Sequence, residues 1–133
     1  TAFFAVVDTE VGLISYANGG HETTLLKTST GTIEELVVSG RALGVLPGYD
    51  YPERSRRLQK GDTIIMITDG ITEARPDSND LFGIERVHSH LETVPAELPI
   101  EEIAKGLLEA ARVHANGHLR DDAAIVVFRW ERQ

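Results

Sequence analysis

The pattern of apolar and polar positions divides the chain into a strand-rich first half and a helix-rich second half that ends in another strand. Short apolar or alternating runs between turn residues are typical of strands, whereas apolar residues at every third or fourth position indicate helices. Strands are predicted over residues 2–7, 13–17, 23–28, 32–38, 63–67 and 123–128, with a brief pairing segment over 53–58. Helices are predicted over 82–93 and from 99 to about 115. This order predicts an α+β domain.

Both predicted helices carry start or stop signals. Asp80 is placed to cap the first helix, and apolar residues at helical spacing follow it. Pro99 stands in the first turn of the second helix, where a missing N–H costs nothing. Asn116-Gly117 ends that helix, because both residue types tolerate the conformation that stops one. The last strand, which follows this stop, is short and apolar and is predicted to be buried.

The central apolar run, residues 63–67, ends on Asp69-Gly70. It is short and rich in β-branched residues, which predicts a buried strand. A carboxylate at the end of such a strand suits a hard divalent cation, since magnesium and manganese take oxygen ligands and need them held rigidly. Asp-Gly is also a common way to begin a turn. A plain turn and a metal or phosphate site are therefore both open at this position.

A second acidic pair, Asp121-Asp122, stands just before the last predicted strand. If that strand lies antiparallel beside residues 63–67, the end of one is next to the start of the other, and Asp69 and Asp121 converge. Two carboxylates about 4 Å apart repel by roughly 4 kcal/mol at an effective dielectric constant near 20, so such a pair favours a cation or a proton between them. The alternative is that one of these aspartates merely caps a turn.

Composition narrows the class of function. The 133 residues predict a single domain, residues 1–133. A net charge of −8 argues against nucleic acid, because binding to phosphate backbones depends on Lys and Arg. The absence of cysteine excludes disulfides and cysteine-ligated zinc and fits a cytoplasmic protein. Arg54, Arg56 and Arg57 form either a solvated basic edge or a patch that steers phosphate groups. No apolar run is long enough for a membrane span, so no membrane partner is expected.

Five motifs, in order and spacing, resemble the metal-dependent protein serine/threonine phosphatases of the bacterial stage II sporulation E type. They are Asn18-Gly19-Gly20-His21, Leu43-Gly44, the stretch from Gly61-Asp62 to Thr68-Asp69-Gly70-Ile71-Thr72-Glu73-Ala74, Leu81-Phe82-Gly83, and Asp121-Asp122-Ala123-Ala124. The match spans nearly all of the chain. The Thr-Asp-Gly block and the Asp-Asp block are specific only in combination.

The resemblance implies a layered α-β-β-α sandwich with two manganese or magnesium ions at one edge of its sheets. A water that bridges the ions would attack phosphoserine or phosphothreonine in line. Asp69 and Asp121 match metal ligands and are the expected catalytic residues. Gly70 should let the chain pass closely by the site, and Asp122 should orient the ligands. His21 is either a structural turn histidine or a residue at the edge of the site.

The resemblance is incomplete. The Asp-x-x-Gly-His-Gly block that would supply the bridging ligand has no match here, and the chain enters a strand at Ala2. We therefore expect the C-terminal part of a phosphatase domain whose N-terminal part is missing, inactive alone, with a sensor or regulatory domain upstream. The implied substrate is a phosphorylated anti-sigma factor antagonist in bacterial signal transduction and stress response. The alternative is a catalytically inactive protein-interaction module, which upstream sequence without that block would favour.

Overall fold

The computed structural model describes residues 1–37 and 39–132, which form two antiparallel sheets and three helices. The strands are β1 (Ala2–Asp8), β2 (Leu13–Gly19), β3 (Leu25–Lys27), β4 (Ile33–Glu35), β5 (Glu53–Arg57), β6 (Thr63–Ile67) and β7 (Ile125–Arg129). The helices are α1 (Asp69–Thr72), α2 (Gly83–Thr93) and α3 (Ile100–His114). The predicted α+β order is confirmed, although β3 and β4 are shorter than expected. Val38, at the end of one predicted strand, lies outside the described residues.

The two sheets have the strand orders β1-β2-β5 and β4-β3-β6-β7. In the first sheet, β1 and β2 form a hairpin in which Asp8 pairs with Leu13. Strand β5 forms its opposite edge, where Arg56 binds Glu34 at 3.1 Å and Arg57 donates a hydrogen bond of 2.8 Å to a main-chain carbonyl. These contacts favour the solvated-edge interpretation of the basic strand over the phosphate-steering patch.

Strand β6 lies at the centre of the second sheet, between β3 and β7. Successive side chains of a strand point to opposite faces, so β6 contributes to two cores. Ile65 and Ile67 pack against the helices, whereas Ile64 packs between the two sheets with Tyr16 and Trp130. All three isoleucines are buried, which confirms the predicted buried strand. The helices, the four-stranded sheet and the three-stranded sheet form three of the four layers of the expected α-β-β-α sandwich.

Helices α2 and α3 cover the outer face of the four-stranded sheet. They bury one apolar stripe each, formed by Val87 and Leu91 in α2 and by Ile103, Leu107 and Ala111 in α3. The predicted cap of α2 was wrong. Asp80 forms an ion pair of 3.0 Å with Arg86 instead. The N-cap position is occupied by Phe82, whose N–H donates to the Ala74 carbonyl at 2.7 Å and whose ring is buried, so tertiary packing sets the start of this helix.

Strand β7 begins two residues later than predicted, and it is not buried. Val126 is 55% exposed and Phe128 is 37% exposed. The reason is that β7 is an edge strand whose second face borders a groove of about 440 Å³. Phe3 and Phe4 line the groove from β1 in the other sheet, and Met66 lines it from β6, the neighbour of β7. An apolar groove therefore lies open between the free edges of both sheets, at β1 and β7.

The Gly61-Asp62 turn anchors the start of β6. Asp62 is 1% exposed, and its two carboxylate oxygens accept hydrogen bonds from the main-chain N–H groups of Ser29 (2.9 Å) and Gln59 (2.8 Å). Buried carboxylates are stable when such donors satisfy them. Asp62 therefore has a structural role before the first residue of β6, whereas Asp69 follows the last residue of that strand.

Candidate active site

The end of β6 is hydrogen-bonded to the chain segment that leads into β7. The strands are antiparallel, with Ile67 opposite Ile125. Beyond this pair, Thr68 N–H donates to the Ala124 carbonyl at 3.1 Å, and Ala124 N–H donates to Thr68 Oγ1 at 2.9 Å. The predicted antiparallel pairing is confirmed. It brings the main chain at Asp69 next to the segment that carries Asp121.

Gly70 lies close against the main chain of the Asp122 segment. A Cβ atom built on Gly70 would lie 2.4 Å from the carbonyl oxygen of Asp122, a distance that a side chain cannot tolerate. The chain does not make a plain turn after β6. Asp69–Thr72 forms the single turn of helix α1, in which Gly70 is buried. Glycine is thus needed for the close contact between two backbones.

Gly70→Ala should therefore lower the free energy of unfolding by about 1–3 kcal/mol, because the methyl group forces the Asp122 segment away. Gly106→Ala in α3 is the matched control. Its added Cβ would meet His90 at an ordinary 3.4 Å, and alanine favours helix by up to about 1 kcal/mol. Urea unfolding of both variants should give shifts of opposite sign. Equal stability of Gly70→Ala and the unmodified chain would contradict the close approach.

Asp69, Asp121 and Asp122, the three aspartates near this junction, are all exposed. Water therefore screens their mutual repulsion. Asp121 Oδ1 accepts a 2.7 Å hydrogen bond from the N–H of Asp122, so this side chain does fix its own turn. Within the described part of the chain, the Asp69 carboxylate accepts no hydrogen bond. One carboxylate oxygen of Asp121 thus has a structural role, whereas no hydrogen bond indicates a structural role for the Asp69 carboxylate.

A cleft of about 110 Å³ opens at this junction, lined by Gly70, Glu73, Arg75, Arg120 and Asp121. Glu73, Arg75 and Arg120 were not singled out from the sequence. Two of them could have been, because Glu73 belongs to the Thr-Asp-Gly block and Arg120 directly precedes the Asp-Asp pair. The cleft therefore joins carboxylates, which suit a cation, to guanidinium groups, which suit an anion.

The oxygen donors at the junction fit a hard divalent cation in kind. In residues 1–37 and 39–132, however, no group of three or more His, Asp or Glu side chains is close enough to hold a metal ion. If Asp69 and Asp121 bind a metal ion, further ligands are needed to complete its coordination. Their assignment as metal ligands and catalytic residues remains a prediction, as does the orienting role of Asp122.

His21 lies apart from the residues that line the cleft. Its main chain is held by the Asn18 side chain, which accepts from His21 N–H at 2.7 Å and donates to the His21 carbonyl at 3.0 Å. Its Nδ1 lies 3.4 Å from Thr1 Oγ1. These contacts suit a turn histidine, and its place at the edge of the site stays a prediction.

No helix among the described residues is long and apolar enough to span a membrane.

Two relatives cover almost the whole chain. Protein IcfG of Synechocystis sp. is 32% identical over 132 residues, which are 97% of this chain and 20% of that protein. The phosphoserine phosphatase RsbU of Bacillus subtilis is 27% identical over 133 residues, which are 97% of this chain and 38% of RsbU. The chain thus spans less than two fifths of either relative.

The fold is also that of a solved phosphatase domain. The manganese-soaked phosphatase domain of SpoIIE from Bacillus subtilis superposes with a TM-score of 0.78 at 21% identity, over 99% of this chain and 56% of that domain. The family described as stage II sporulation protein E (SpoIIE) matches residues 1–131. The chain therefore belongs to the SpoIIE family of metal-dependent, PP2C-type phosphatases, as its motifs indicated.

Proposed function

We propose that this chain forms the C-terminal part of a phosphatase domain that removes phosphate from serine or threonine in a protein. The observation that carries the proposal is the junction of β6 and β7. It places Asp69 beside the segment of Asp121, and Gly70 allows the two backbones to touch. No hydrogen bond to the Asp69 carboxylate within the described part of the chain gives that side chain a structural role.

The open edges of the two sheets support the view that the chain is part of a larger domain. Both β1 and β7 are edge strands, and the groove between them exposes apolar side chains such as Phe4, which is 68% exposed. Exposed apolar patches of this kind are typical of surfaces that another segment covers. The solved SpoIIE domain is nearly twice as long as the matched part, which leaves enough chain to cover them.

In the complete domain, Asp69 and Asp121 would hold manganese or magnesium together with ligands from the remainder. A bound divalent ion would supply an acidified water and neutralise charge on the phosphoryl group. The chain's own residues would fix the ligands in place. The Asp122 N–H bond to Asp121 Oδ1 restricts that carboxylate, and the hydrogen bonds of Thr68 restrict the start of α1. The SpoIIE domain crystals were presoaked with manganese, which supports this choice of ion.

The substrate we propose is a phosphorylated anti-sigma factor antagonist in a cytoplasmic partner-switching pathway, with a sensor domain upstream in the same protein. The name of RsbU supports a phosphoserine substrate. The second candidate is an inactive interaction module. It is favoured by the finding that the described residues alone do not assemble a three-ligand metal site.

An activity assay separates the two candidates. With manganese, the complete protein should hydrolyse p-nitrophenyl phosphate, whereas the isolated 133 residues should do so no faster than buffer, because they lack ligands for the site. An inactive complete protein would contradict the phosphatase proposal and leave the interaction module as the candidate. Turnover by the isolated chain would show that its own residues complete the site and that the assignment of missing ligands is wrong.

A further inference from the structure

Two arginines stand together at the cleft beside Asp121. Arg75 and Arg120 line this cleft, and both also line an adjoining cavity of about 90 Å³ that extends towards Asn116 and His118. They therefore line both spaces. Each arginine has an acidic partner, Glu73 for Arg75 and Asp77 for Arg120, so the two guanidinium groups are the cations of a lining of mixed charge.

The guanidinium group of Arg75 makes only weak polar contacts with the rest of the protein. Its Nη1 lies 3.4 Å from the Glu73 carbonyl oxygen and 3.7 Å from the Glu73 carboxylate, both long for a charge-assisted bond. Its Nε is buried and has no hydrogen-bond partner among the described residues. An arginine that serves only the fold normally has these donors satisfied. The guanidinium can therefore reorient towards an anion at little cost in existing bonds.

Arg120 has a partner that an anion could replace. Its Nη2 donates to Asp77 Oδ1 at 2.8 Å, and the Asp77 side chain is fully exposed. Exposed ion pairs contribute little to stability, so exchanging this carboxylate for a more highly charged group costs little. A phosphate monoester carries about −1.5 to −2 charges near neutral pH. It is also a better match than a carboxylate for two guanidinium groups at once.

We propose that Arg75 and Arg120 bind the phosphoryl group of a phosphorylated protein segment that enters the cleft. Before the segment binds, Asp77 forms an ion pair with Arg120 in place of the phosphoryl group. This inference rests on the proposed function and names the residues that recognise its substrate. The position of the arginines next to Asp121 places the bound phosphorus beside one of the two predicted metal ligands. The adjoining cavity leaves space for residues next to the phosphorylated one.

The kinetic test uses the complete protein with manganese and p-nitrophenyl phosphate. Arg75→Gln and Arg120→Gln should each raise KM about tenfold, the size of one charge-assisted hydrogen bond, with a smaller change in kcat. Lysine at either position should recover part of the loss, because it keeps the charge but not the planar fork. Asp77→Asn should act in the opposite direction and lower KM, since Arg120 loses its competing partner.

Arg54→Gln is the control, because Arg54 lies on β5 in the other sheet. A KM within twofold of wild type in both cleft variants, or an equal change in the Arg54→Gln variant, would overturn the inference. So would a higher KM for Asp77→Asn. Thermal unfolding of each variant separates these effects from loss of folded protein.

A binding measurement separates this inference from the proposed function. Inorganic phosphate should bind the metal-free complete protein, seen as broadening of its ³¹P resonance, and should do so less in Arg75→Gln and Arg120→Gln. If the complete protein is inactive but this binding persists and depends on the two arginines, the phosphatase proposal fails and the anion site stands. If the protein is active and the broadening is equal in all variants, the anion site fails and the phosphatase stands.

Discussion

Asp69→Asn in the complete protein is expected to reduce manganese-dependent phosphatase activity by a factor of about 100 or more. Asparagine offers a neutral oxygen where a hard divalent cation needs a charged one. Substitution of residues that merely orient metal ligands already costs about 10- to 100-fold, and a ligand should cost at least as much. The measurement is turnover of p-nitrophenyl phosphate over a range of manganese concentrations. Activity that survives this substitution would contradict the assignment of Asp69 as a ligand.

The stability of the same variant gives an independent check. Asp69 is exposed and its carboxylate accepts no hydrogen bond within the described part of the chain, so Asn should change the metal-free protein by less than about 0.5 kcal/mol. If Asp69 were a structural cap, Asp69→Ala would cost about 1 kcal/mol. Glu109→Gln is the matched control, an exposed carboxylate on α3 that pairs loosely with Arg112 at 3.7 Å. It should leave both activity and stability unchanged.

The elements with a strong apolar period were predictable from the sequence. The apolar run of β6 and the stripes of α2 and α3 were predicted correctly because burial decides those positions directly. The short helix α1 was not predicted, since Asp69-Gly70 suits a turn equally well. The exposure of Phe128 was also missed. An apolar run does not reveal whether both faces of its strand are covered, and this depends on the position of β7 at a sheet edge.

The strand junction at the candidate site was predictable. The antiparallel pairing of β6 and β7 was predicted from two short apolar runs, each flanked by aspartate, and the structure confirms it. The cleft arginines could not be found in this way. Arg75 and Arg120 are 45 positions apart in sequence, and no periodic pattern links residues that meet only because two strand ends are neighbours. The space that they share depends on the three-dimensional path of the loops.

Lys27 is another residue whose position no pattern revealed. It lies on β3 and is only 2% exposed, because alternation along the strand turns its side chain, like that of Leu25, towards the helices. Its Nζ donates a 2.8 Å hydrogen bond to the Leu91 carbonyl in the last turn of α2. A positive charge is favourable at this end of a helix. Burial nevertheless lowers the pKa of Lys27 below 10.5, and the carboxylate of Glu92 opposes that shift.

Lys27→Ala is expected to lower the free energy of unfolding by about 2–4 kcal/mol, because the buried hydrocarbon chain is lost and a cavity remains. Lys27→Met should change it by less than about 1.5 kcal/mol, since methionine fills most of the volume. The Leu91 carbonyl also keeps its second donor, the N–H of Val94 at 3.2 Å. Urea unfolding at pH 7 measures both. A loss in Lys27→Met as large as in Lys27→Ala would show that the hydrogen bond, and not packing, makes Lys27 important.

The pH dependence of these variants follows from the direction of the pKa shift. A lysine whose pKa is lower in the folded state binds its proton more tightly when unfolded, so this group destabilises the folded chain while both states are protonated. That cost disappears as the pH rises through the folded pKa towards 10.5. The free energy of unfolding of the wild type should therefore rise relative to that of Lys27→Met between pH 7 and pH 10. The contributions of all other titrating groups cancel in this difference, because both proteins contain them. A constant difference across this range would mean that the ammonium group is equally well accommodated in the folded and unfolded states.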